Sequence, residues 1–109
     1  MGYTSTIVIA VKKEVLARDL IKPEIPDCLK EIGHKINEQL GAAYWELDSW
    51  KWYSTYDEIQ KIEAWFDAMD FEEFGAIRLG EDDNDSQTWG SPYDFDICIN
   101  RWISHPAQE

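Results

Sequence analysis

Apolar residues along this chain recur with two different periods, and the changes of period divide it into strands and helices. Thr4-Ser5-Thr6-Ile7-Val8-Ile9-Ala10-Val11 is β-branched and apolar without alternation, which predicts a central strand bounded by Lys12-Lys13. Residues 12–20 fit a short helix, with Val15, Leu16 and Leu20 on one face, before Pro23 and Pro26 interrupt. Ile25, Leu29, Ile32, Ile36 and Leu40 then recur at spacings of three and four, predicting a helix over residues 26–40. Pro26 suits its first turn and Gly41 its end, while Gly33 inside it costs about 1 kcal/mol relative to alanine.

The aromatic stretch 42–53 favours strand, broken near Asp48-Ser49 by a bulge or turn, so that Trp50 and Trp52 share one face. A second main helix follows. Thr55 and Glu58 match a capping box, and Ile59, Ile62, Phe66 and Met69 form its buried stripe with Trp65 beside it. Residues 74–79 read as a strand and 81–90 as an acidic loop. In 94–103 the alternation puts Phe95, Ile97 and Ile99 on one face, directed at the helices. The expected fold is one α+β domain over residues 1–109. It is a two-layer sandwich of about four mostly antiparallel strands with two main helices on one face. Its other face would carry the aromatics of the Trp50, Trp52 and Trp102 type beside acids. Of Trp45, Trp52 and Trp65, core positions are expected.

Composition narrows what such a domain does. With 109 residues and 44% hydrophobic content the chain has the makings of one core without staples. Cys28 and Cys98 are far apart and in no CxxC, so two reduced thiols are expected. The start of the chain lacks the basic-then-apolar pattern of a signal peptide. Gly2 with Thr6 matches a myristoylation pattern formally, but Tyr3 onward reads as buried strand. The longest apolar run, residues 7–11, is too short to span a bilayer. The expected location is cytoplasmic.

Net charge is −12, and its distribution is uneven. Residues 1–40 hold six Lys/Arg and six Asp/Glu; residues 41–109 hold four and sixteen. Such a surface repels phosphate, which disfavours direct nucleic-acid binding and anionic membranes. It favours a partner with a basic surface.

Catalytic and metal chemistries find little support. An EF-hand loop from Asp82 would need glycine at 87 and glutamate at 93, where the chain has Gln87 and Tyr93. His34, His105, Cys28 and Cys98 lack zinc-ligand spacing, and neither histidine has a nucleophile nearby in sequence. Gly75, Gly80 and Gly90 form no phosphate loop. The chain is therefore read as a non-enzyme without cofactor or metal. Six tryptophans exceed the needs of a small core, and aromatic surface bordered by polar groups is typical of binding hot spots. The candidate partner-binding residues are Trp50, Asp57, Asp67, Glu72, Glu73, Glu81, Asp82, Asp83, Asp85 and Trp89.

Four stretches also carry a resemblance: Met1-Gly2-Tyr3-Thr4-Ser5, Trp50-Lys51-Trp52-Tyr53-Ser54-Thr55-Tyr56, Arg78-Leu79-Gly80-Glu81-Asp82, and Pro92-Tyr93-Asp94 leading to Ile99-Asn100-Arg101. Together they resemble a family of small, acidic, mostly uncharacterised proteins of bacteriophages and prophages. The family supplies no catalytic residues. The resemblance implies a phage accessory protein, similar in size and acidity to inhibitors of host defence such as anti-CRISPR and DNA-mimic proteins. The competing expectation is a small-ligand or divalent-cation binding domain.

Overall fold

A computed structural model describes residues 4–16, 25–53, 55–81, 85–99 and 103–104. It is an α+β protein built on a five-stranded, fully antiparallel sheet in the order β2-β3-β1-β4-β5. The strands are β1 (Ser5–Lys12), β2 (Lys35–Asn37), β3 (Ala42–Trp50), β4 (Phe74–Gly80) and β5 (Ser86–Gly90). Helices α1 (Lys13–Leu16), α2 (Asp27–Ile32) and α3 (Asp57–Ala68) join them. A 3₁₀ turn (Pro92–Phe95) leads to a small hairpin of β6 (Cys98–Ile99) and β7 (Ile103–Ser104).

Strand β1 lies between β3 and β4, which explains its unbroken apolar run. Residues 7–11 are at most 1% exposed, because both faces of the central strand are covered. On one face Ile7, Ile9 and Val11 align with Leu47, Trp45 and Ala43 of β3 and meet Ile59, Ile62, Trp65 and Phe66 of α3. On the other, Val8, Ala10, Tyr44 and Ile77 pack under Phe95 and Ile97. Each α3 residue of the predicted stripe is buried as expected.

Four expectations change. The helix predicted over 26–40 ends at Ile32, because Gly33 takes φ 79 and turns the chain into β2. A stripe interrupted by a glycine in the left-handed region cannot continue as one helix. Ile25 and Leu29 stay with the core, while Ile32, Ile36 and Leu40 are 38–43% exposed. Second, residues 81–90 are not all loop: 86–90 pair with β4 as a fifth strand. Third, Phe95 and Ile97 do not face the helices. Asp96 adopts a left-handed conformation (φ 56), which ends the 3₁₀ turn and breaks the alternation predicted over 94–103. Both side chains cover the sheet face opposite α3. Trp50 and Trp52 correspondingly pack on the α3 side, exchanging the expected faces. Trp102 lies outside the described residues. Fourth, α3 starts after Tyr56 and has no side-chain cap, so Thr55 and Glu58 form no capping box. The bulge expected near Asp48-Ser49 is present, with Ser49 at φ 59.

Candidate functional site

The antiparallel register sorts the acidic residues between the two ends of the sheet. Strand β1 starts, β3 and β4 finish and β5 starts at one end, where Ser5 lies between Trp50 and Gly80. The opposite end holds Lys12, Ala42, Phe74 and Gly90. A seven-residue strand such as β4 separates the ends by about 20 Å. Helix α3 leaves the first end with Asp57 and reaches the second with Asp67 and the turn bearing Glu72 and Glu73.

The candidate residues divide accordingly. Trp50, Asp57, Glu81 and Asp85 gather at the first end. Asp67, Glu72 and Glu73 gather at the second. Asp82 and Asp83 lie outside the described residues. Trp89 pairs across β4 with Ala76, whose small side chain leaves room for the indole against Phe66 (ring centroids 5.2 Å) and Trp52 (5.7 Å). Trp50 and Trp89 are both half-buried against the core, contributing packing as well as surface. Acids do not form a row along α3. Its buried residues leave Gln60, Ala64 and Ala68 on the outward ridge with Asp57 and Lys61, a mixed surface.

The first end is organised around one cation turned inward. Arg78 is 8% exposed and sits beside Ile7 on the α3 side of the sheet. Its Nη2 lies 2.6 Å and its Nη1 3.3 Å from the Asp85 carboxylate; Nε donates to Gln87 (2.7 Å) and Nη1 to the Ser5 hydroxyl (2.8 Å). The fork thereby ties β1, β4, β5 and the residue before β5 together, a geometry that lysine's point charge cannot reproduce. Thr4 donates to Glu81 (2.9 Å), and Thr6 to Asp48 (3.3 Å) across the sheet's other face.

The same end of the sheet carries exposed Asp48, Asp57, Glu58 and Glu81 and the rings of Trp50, Tyr53 and Tyr56, the last two edge-to-face at 5.4 Å, while the Trp52 ring reaches Trp89. Thr55, Tyr56, Asp57 and Glu58 line a shallow depression there. Sequence reasoning named Trp50, Asp57, Glu81 and Asp85 but missed Ser5, Asp48, Tyr56, Glu58, Arg78 and Gln87. A signal for three of them was present. Ser5, Tyr56 and Arg78 belong to three of the four stretches quoted above, and the described residues of these stretches include Ser5, Trp50, Tyr56, Gly80 and Glu81 at this end of the sheet. Pro92-Tyr93-Asp94 lies elsewhere, beside the opposite end.

There, Gly75 accepts the Pro92 backbone where a Cβ would stand 2.5 Å from the Pro92 Cα. Ser91 donates its N–H and its hydroxyl to the Phe74 carbonyl, at 2.9 and 3.4 Å, and its hydroxyl also approaches the Phe71 carbonyl at 3.1 Å. Phe71 and Tyr93 are each 67% exposed on this end.

A recess of about 360 Å³ opens beside the β2–β3 edge, lined by Ile32, Gly33, His34, Lys35, Tyr44 and Glu46. Burial pushes the Tyr44 hydroxyl up to about 12, with the Asp96 charge adding to it, and the hydroxyl donates to the Phe95 carbonyl at 2.7 Å. The Cys28 thiol is free, half-buried, and pushed up by burial and by the charge of Glu58. Among the described residues no three His, Cys, Asp or Glu side chains converge to hold a metal. Among them also, no helix is long and apolar enough to cross a membrane. Compared with known proteins, the chain matches no family model, no curated protein and no solved structure.

Proposed function

We propose that this is an acidic interaction protein of phage type that binds a host protein whose surface is basic. The reading extends to an inhibitor of a nucleic-acid-binding defence protein, in the manner of anti-CRISPR and DNA-mimic proteins. The observation that carries it is the end of the sheet built on Arg78. Four exposed carboxylates, Asp48, Asp57, Glu58 and Glu81, share that end with partly exposed aromatic rings, Asp48 on the sheet face opposite α3 and Asp57 and Glu58 in the first turn of α3. The cation among them is turned inward and paired with Asp85. A partner arriving at this end meets exposed carboxylates and partly exposed aromatic rings, the residue types that binding surfaces combine. Charge of this sign steers a basic partner and repels nucleic acid itself. The acids at the two ends stand about 20 Å apart with a mixed helix surface between them, so the reading rests on a local patch and not on a regular phosphate-like row.

The test is capture from host lysate with the full chain, followed by the same capture with Asp57→Lys, Glu58→Lys and Glu81→Lys combined. Expected is recovery of a nucleic-acid-binding protein that weakens with added salt and falls at least about tenfold with the triple variant. Reversing Asp67 and Glu72 at the other end is expected to change capture by less than about threefold. Recovery of no such protein, or equal loss from both ends, overturns the proposal.

A further inference from the structure

The two edges of the five-stranded sheet are finished differently. At one edge β2 is three residues long and carries Lys35. Beyond it β3 bears exposed Glu46 and Asp48, and its register slips: the step from Leu47 to Trp50 matches only Ile7 to Ser5. Short strands, charges and bulges are the devices that keep a sheet edge from pairing with another chain.

The edge formed by β5 has none of them. Ser86-Gln87-Thr88-Trp89-Gly90 contains no charge and no proline, and pairs with β4 without a slip from Gly75↔Gly90 to Leu79↔Ser86. In a chain with 22 acidic residues, five consecutive uncharged edge positions are a specific feature. The hydrogen bonds at either end set its parity. Gly80 donates to the Asp85 carbonyl (2.8 Å) and Ser91 to the Phe74 carbonyl (2.9 Å), so Asp85 and Ser91 turn their main-chain groups toward β4. Antiparallel alternation assigns Gln87 and Trp89 to the same side, and points the N–H and C=O of Ser86, Thr88 and Gly90 outward. Among the described residues no strand pairs with that side.

We propose that β5 pairs antiparallel with β5 of a second copy of this chain about a two-fold axis through Thr88, joining two five-stranded sheets into one of ten. The occupant follows from self-complementarity. The outward groups are disposed symmetrically about Thr88, so Ser86 meets Gly90 of the other copy while Thr88 meets itself. No charged residue falls opposite another in this register. The next position outward sets Asp85, already held by Arg78, against Ser91. A basic peptide would find no carboxylate on β5 to recognise. Repulsion between the two net charges acts over distances longer than the Debye length of about 8 Å at physiological salt and is largely screened. The inference stands independently of the proposed function, since it uses the opposite chemistry at a different place.

Sedimentation of the full chain up to about 1 mM tests it, comparing wild type with Thr88→Pro. Proline there removes an N–H that points away from β4, a position where edge strands tolerate it. Expected is a monomer–dimer equilibrium with Kd on the order of 100 µM or tighter, strengthened by added salt and weakened at least about tenfold by Thr88→Pro. A second variant, Thr88→Cys, keeps the test independent of proline's effect on folding. Facing Cα atoms of a hydrogen-bonded antiparallel pair are about 5.5 Å apart, within disulfide range, so mild oxidation should link the two copies. Gln87→Cys, carrying the same native thiols, should not cross-link. A wild-type chain that stays monomeric up to about 1 mM overturns the proposal, as does a folded Thr88→Pro variant that associates like wild type. Absence of the Thr88→Cys cross-link overturns it also.

Discussion

The same strands are held together at their two ends by different means. At one end Arg78 joins β1, β4 and β5 through directed polar bonds to Ser5, Gln87 and Asp85. At the other, closure is steric. Gly75 lies against Pro92, Gly90 takes φ 64 where a Cβ would meet the Phe74 carbonyl at 2.3 Å, and Ser91 caps the contact. The polar end keeps acids and aromatic rings at the surface beside a neutralised cation. The interlocked end fixes the C-terminal cover over the sheet, with the Tyr44 hydroxyl holding the Phe95 carbonyl.

The largest expected effect tests the steric end. Gly75→Ala places a methyl group against backbone atoms that cannot yield without moving the 3₁₀ turn, and should cost about 3 kcal/mol in urea unfolding. A cost under about 1 kcal/mol would mean that the turn shifts freely and that the interlock is not rigid.

Arg78→Met keeps much of the side-chain volume but removes the bonds that Arg78 donates to the Ser5 hydroxyl, the Gln87 amide and Asp85. The expected loss is about 2 kcal/mol, below that of a fully buried pair because the Asp85 side chain is 36% exposed. Added salt should change this difference little, since Arg78 itself is shielded from solvent. A salt-sensitive loss would place the pair at the surface and weaken the contrast between the ends.

Tyr44→Phe should cost about 1 kcal/mol by removing the bond to Phe95. It also tests a pH dependence. Folding raises the Tyr44 hydroxyl from its ordinary 10 to about 12, so the neutral form is favoured in the folded chain. Between these values the unfolded chain releases its proton and the folded chain keeps it. The associated stability is complete below about pH 10 and is lost as pH rises toward 12. Wild-type urea midpoints should therefore fall more steeply than those of Tyr44→Phe across that window.

The smallest effect is expected just before α3. Thr55→Ala should change stability by less than about 0.5 kcal/mol, because Thr55 makes no capping bond. A loss of about 1 kcal/mol in thermal or urea unfolding would restore the capping box that the spacing suggests.

Local pattern was sufficient where one period ran uninterrupted and matched its surroundings. The run Ile7-Val8-Ile9-Ala10-Val11 specified β1 as a central strand, and Ile59, Ile62, Phe66 and Met69 specified the buried stripe of α3. The charge count located the acids in the last two-thirds of the chain but ranked Asp57, Glu81 and Asp85 no differently from Asp67, Glu72 and Glu73. Periodicity misled where one residue's backbone conformation overruled it. Gly33 and Asp96 take positive φ, and each converts an apparently continuous pattern into a turn. β5 escaped notice because an edge strand buries little and therefore shows little hydrophobic alternation.

The site itself was the least legible part. By itself the sequence determined the acidity, the aromatic surplus and the apolar stripes of β1 and α3, because these depend on residue type and local spacing. Only the tertiary structure decided that Arg78 would meet Ser5, Asp85 and Gln87, and that the acids would part between two ends of one sheet. It also decided that uncharged β5 would form an edge with no further strand paired to it among the described residues. Those relations depend on the antiparallel register, which joins residues as much as 77 positions apart and sets which side of each strand faces its neighbour.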